Sequence, residues 1–105
     1  MRMHSQQVSI NVYALAIRKL AAAHQTGEDL SDVKHQVDAV IQAMKEEMAV
    51  DKMVQIEMWG ELLTILDSCS RNTAHPSWIT VINHARYRVK SRKNTAVQYY
   101  RQISA

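Results

Sequence analysis

The chain has no phenylalanine, one proline, two glycines and one cysteine, and each scarcity excludes something. Proline and glycine punctuate the frequent turns of all-β folds. With only Gly27, Gly60 and Pro76 across 105 residues, composition favours an all-helical fold over such a one, and strong helix formers fill most of the remaining positions. A lone cysteine, Cys69, cannot form an intrachain disulfide and suits a reducing compartment. No apolar run approaches the about 18 to 20 residues that a membrane-spanning helix needs. The opening MRMHSQQ also lacks the apolar core of a signal peptide. The expectation is a cytoplasmic protein with no membrane partner.

Acidic residues are missing from both ends. Residues 1–27 hold three cations and no acid; residues 68–105 hold seven cations and no acid. All ten acids fall in residues 28–67, against three lysines there. The net charge of +3 therefore conceals an acidic middle and a strongly basic end. Length fits one domain over residues 1–105, with a core that is feasible but limited in size.

Hydrophobic periodicity then predicts four helices, at about residues 6–24, 30–48, 52–69 and 77–103. Ser5 is the expected cap of the first, and Gly27 its left-handed terminator. Ile10, Tyr13, Ile17, Leu20 and Ala21 share a face of this helix, which Val12 and Leu15 widen. The alternation of Val8, Ile10 and Val12 also fits a short strand, but the alanine-rich continuation decides for helix. In the second segment Leu30, Val33, Val37, Val40, Ile41, Met44 and Met48 form one stripe. Lys34, Gln36, Asp38, Gln42, Lys45 and Glu46 take the opposite, solvated face. A break is expected near residues 49–53, with Asp51 able to cap the next helix.

The third segment is apolar over a wide arc, from Val54 and Ile56 through Trp59 and Leu62 to Leu66. That breadth marks it as the most buried helix, and Gly60 within it suggests close backbone packing. Pro76 suits the first turn of the last helix. There Trp78, Ile82, Ala85, Val89, Arg92, Ala96, Tyr99 and Ile103 recur at alternating spacings of four and three, a heptad-like packing or dimer seam interrupted by Arg92. A cation there is costly if buried without a partner: three readings are open, that it snorkels, that it meets Glu46, Glu47 or Glu57, or that it marks where the seam leaves the core. A stop at Ser91–Asn94 would split this segment, giving five helices and a short helix-turn-helix. The continuous form is preferred, since no glycine marks a turn. The fold class is thus an all-α bundle of four helices, five if the last one breaks, with a long amphipathic C-terminal helix. That helix is longer than so small a bundle requires, which points to a homodimer.

For function, the basic stretch from His84 to Gln102 stands out. Phosphate contact through Arg86, Lys90, Lys93 and Arg101, with Tyr87 stacking on unpaired bases, is the first expectation. The plain alternative is a solvated helix whose cations pair with the acidic middle of the chain. A different class of role is a protein–protein adaptor or inhibitor. Its basic helix would dock an acidic protein surface, or its acidic middle a basic one, as small accessory proteins of phages and plasmids do. The five histidines show no metal-ligand spacing, and neither a nucleophile elbow nor a glycine-rich phosphate loop is present. The chain is therefore expected to be a non-enzymatic binding protein without metal or cofactor.

Overall fold

In the computed structural model the backbone is described for residues 2–48 and 51–104, and the side chains for residues 10–48 and 51–102. These residues form four helices: α1 (Arg2–Gln25), α2 (Leu30–Glu47), α3 (Lys52–Arg71) and α4 (Pro76–Ser104). No strand occurs among them. The helix ends obey local chemistry. The Gly27 N–H bonds the His24 carbonyl and the Glu28 N–H bonds the Ala23 carbonyl. With Gly27 at φ +112°, this is the paired bonding that closes a helix through a glycine. Asp29 then caps α2, accepting from the Ser31 and Asp32 N–H groups at 2.8 and 3.3 Å. Asp51 caps α3 through the Met53 N–H at 2.9 Å. Pro76 opens α4 at the position where its missing N–H costs nothing.

Two expectations about these elements are corrected, and one alternative is removed. Helix α1 is already formed at Arg2, so Ser5 lies inside it and does not cap it; no Gly or Pro upstream forces a later start. Residues 91–94 are helical within an unbroken α4 of 29 residues, which removes the turn that a helix-turn-helix would require. Val12 and Leu15 do not widen the buried face of α1: they are 57% and 48% exposed. Ala14 packs there instead, beside Ile10, Tyr13, Ile17 and Ala21. The side chains of Ser5, Val8 and Ile103 lie outside the described residues.

The core joins all four helices. From α2 come Val33, Val37, Ile41 and Met44, extended by Met48, and from α3 come Met58, Trp59, Leu62 and Leu66. Helix α4 supplies Val81, Ile82, Ala85 and Val89, with Ala96 also buried beyond them. Helices α1 and α4 each pack against the three others, whereas α2 and α3 make no close approach to one another. The bundle is thus a rhombus in section, with α1 and α4 across its short diagonal. Small side chains at Ala14, Ala21, Ala85 and Ala96 suit that close approach. The wide apolar arc of α3 is divided between a buried strip and half-buried Val54, Ile56, Leu63 and Ile65, and a smaller share of its residues is exposed than in the other helices, among the described residues. No described helix is long and apolar enough to cross a membrane.

Gly60 also departs from its expected role. A methyl group there would meet only the flexible end of Lys93, with Nζ at 3.5 Å; no backbone crowds it. The two glycines should therefore respond oppositely to alanine. Gly60→Ala is expected to stabilise the chain by about 0.5–1 kcal/mol through helix propensity. Gly27→Ala should cost about 1–2 kcal/mol because its backbone stands at positive φ. Urea unfolding midpoints at constant m-value decide both; a stabilising Gly27→Ala would contradict its role as the terminator of α1.

Candidate nucleic-acid interface

Helix α4 runs between α2 and α3 and meets both, so its sides differ chemically. Its inner stripe is apolar and buried: Val81, Ile82, Ala85, Val89 and Ala96. Of the seam expected from sequence, Ile82, Ala85, Val89 and Ala96 are consumed by this intrachain core. Trp78 packs half-buried against it. Tyr99 stands 50% exposed, with the Lys52 ammonium 4.7 Å from its ring centroid, a cation–π contact that ties the far end of α4 to the start of α3.

The two flanks carry most of the basic charge, and each is answered by its neighbour. Toward α3, the Arg86 Nε–H donates to Asp67 Oδ1 at 2.6 Å, and the Lys93 side chain lies along Gly60. Toward α2, Asp38 Oδ1 accepts from His84 Nε2–H at 2.9 Å and from Arg88 Nε–H at 3.2 Å. One turn further on, the Arg92 Nη2–H donates to Gln42 Oε1 at 2.7 Å. Of the partners considered for Arg92, none of Glu46, Glu47 and Glu57 is used; an amide carbonyl accepts from it. The side chain is only partly buried, so a neutral acceptor suffices where a buried cation would require a carboxylate.

Between the flanks lies an outward face. Tyr87, Lys90, Ser91, Asn94, Gln98 and Arg101 are all exposed, at the three- and four-residue spacing that keeps them on one side of a helix. Tyr87 projects furthest, at 70% exposure. It stands between two open clefts. One, of about 450 Å³, is lined by Leu63, Asp67, Asn83, Arg86, Tyr87 and Lys90. The other, of about 340 Å³, is lined by Tyr87, Lys90, Ser91, Asn94, Thr95 and Gln98. Tyr87 and Lys90 belong to both. Lys90, Lys93 and Arg101 make no ion pair among the described residues.

The five binding residues expected from sequence thus divide. Tyr87, Lys90 and Arg101 share the outward face, while Arg86 and Lys93 lean toward α3. The polar residues between them, Ser91, Asn94 and Gln98, were not assigned to the site from sequence; their recurrence at spacings of four, three and four after Tyr87 is the signal that could have found them. The same holds for Asp38 and Gln42, read as solvated, whose i and i+4 placement aims both at α4. Among the described residues no three His, Cys, Asp or Glu side chains converge as metal ligands would.

The Asp38 cluster is part-exposed, so its contribution to stability is modest. Asp38→Ala is expected to lower unfolding free energy by up to about 1 kcal/mol. A double-mutant cycle with Arg88→Ala should return a coupling of a few tenths of a kcal/mol that shrinks in high salt. Zero coupling at low salt would show that the pair does not act across α2 and α4. No family model, no curated protein and no solved structure matches this chain, so any functional reading rests on its own residues and their arrangement.

Proposed function

We propose that this protein binds nucleic-acid phosphates through the outward face of α4, without catalysing a reaction. The observation that carries the reading is Tyr87, 70% exposed between two clefts, with Lys90 on the rim of both. A stacked base needs a bare aromatic face with a cation close by to take the adjoining phosphate. Arg101 extends the track: eleven residues beyond Lys90, it lies about 16 Å further along the helix axis. That span matches roughly five nucleotides of a stacked strand. Asn94 and Gln98, between the two cations, offer amide groups to sugar or base. The flanking pairs with Asp38 and Asp67 lower the charge available for a duplex backbone. This favours a single strand engaged by stacking and a few phosphate contacts.

A second reading is supported by the opposite side of the charge map. Glu47, Glu57 and Glu61 are exposed and make no ion pair among the described residues, which suits an adaptor or inhibitor that docks a basic protein. In either role a homodimer would have to use residues left outside the core, such as Val12 and Leu15 on α1 or Tyr100 on α4. Ile82, Ala85 and Val89 are already taken by the fold.

Fluorescence anisotropy with labelled single-stranded DNA, single-stranded RNA and duplex DNA tests the first reading. With Lys90 and Arg101 engaged, affinity for the single strand should fall about sevenfold between roughly 50 and 200 mM salt. Tyr87→Ala should cost about tenfold or more at fixed salt, and Lys90→Ala with Arg101→Ala should flatten the salt dependence. Those two cations are the informative pair because neither holds a carboxylate of the fold, unlike Arg86. No binding to any of the three at about 50 mM salt would end the reading. A stoichiometric complex with a basic protein would then support the adaptor.

A further inference from the structure

Between α1, α3 and the first turn of α4 lies a larger cleft, of about 630 Å³. Its size falls in the range of pockets that hold small organic molecules. Arg18 and Gln25 come from α1, Thr64, Ile65, Ser68 and Cys69 from α3, Asn72 and Thr73 from the connection, and Trp78 from α4. The lining divides by chemistry. Ile65, Cys69 and Trp78, each partly buried and packed on the core, make an apolar wall with one flat aromatic face. Hydroxyl and amide groups surround it. Arg18 is the single ionised group, with no acid in the lining and no described ion pair of its own.

One further feature marks this wall. The Trp78 Nε1–H is buried and has no hydrogen-bond partner, the one such side-chain atom among the described residues. Buried donors are normally matched. The N–H is covered in this conformation, and the chain supplies no acceptor for it. A planar apolar body against Trp78 and Ile65, an anionic group toward Arg18 and an acceptor oxygen together describe one class of molecule.

We propose that this cleft binds a small aromatic carboxylate, with its ring on Trp78 and Ile65 and its carboxylate held by Arg18. The site is independent of the nucleic-acid reading and shares no residue with the outward face of α4. Cys69 on the same wall makes it sensitive to anything that enlarges the thiol, since a bulkier group there fills the space of the ring.

Naphthoate and its neutral counterpart naphthamide form a matched probe pair. Calorimetric titration of the intact chain should give one saturable site for naphthoate, about tenfold tighter than for naphthamide because of the charge-assisted contact. Trp78, as the half-buried one of two tryptophans, should report occupancy by a change in fluorescence that is lost in Trp78→Phe. Arg18→Gln, an exposed position that leaves the fold intact, should bring the two probes to within about twofold. Ser68→Trp should block both by filling the cleft, with the circular dichroism of the variant confirming its helices. Absence of saturable binding by naphthoate overturns the proposal. So does binding that neither Arg18→Gln nor Ser68→Trp changes, which would place the probe elsewhere.

Discussion

The fold depends on lodging one strongly basic helix inside a small bundle. Helix α4 carries six cations between Arg86 and Arg101 and yet must bury an apolar stripe against three neighbours. Those demands are compatible because a helix separates its faces by angle. The stripe from Val81 to Ala96 turns inward, and the arginines beside it reach sideways to α2 and α3. Burial supplies the larger energy; a side chain such as Ile82 contributes about 1.5–3 kcal/mol, against up to about 1 kcal/mol for a part-exposed ion pair. The polar contacts on the flanks therefore act more on orientation and charge than on stability. They set which cations remain available to another molecule.

This division explains why the charge asymmetry of the sequence is only half of the picture. The acidic middle does answer the basic end, through Asp38 and Asp67, as a solvated helix paired within its own chain would require. It does so selectively, at the flanks, and leaves the outer face of α4 with lysine, arginine, tyrosine and small amides. Intrachain pairing and an unpaired basic surface thus coexist on one helix, separated by about a quarter of a turn.

Much of the fold was legible because the signals were local or periodic. The stripe of α2, the glycine end of α1, the Asp51 cap and the proline start of α4 each come from chemistry within a few residues. The features that stayed hidden depend on which helix lies across from which. Periodicity places Val12 and Leu15 beside the core face of α1, but only the rhombic packing shows that nothing covers them. Trp59 and Leu62 mark α3 as apolar, but they do not show that it packs on α1 and α4 and not on α2. Charge is visible in a sequence, so carboxylates present themselves as partners for Arg92, whereas the position of an amide oxygen on another helix is not. The clefts around Tyr87 and beside Trp78 are likewise products of three-dimensional assembly.

The missing contact between α2 and α3 also bears on how the structure comes apart. Helix α2 is held by α1 and α4 alone, and two of its ties to α4, at Asp38 and Gln42, are polar and within reach of solvent. The remaining three helices touch one another pairwise without it. Helix α3 likewise rests on α1 and α4 alone, and what distinguishes α2 is that its polar ties reach two arginines of α4, Arg88 and Arg92. Opening of α2 would free His84 and Arg88 from their shared carboxylate, so the charge that α4 displays is linked to the local stability of a helix on its flank.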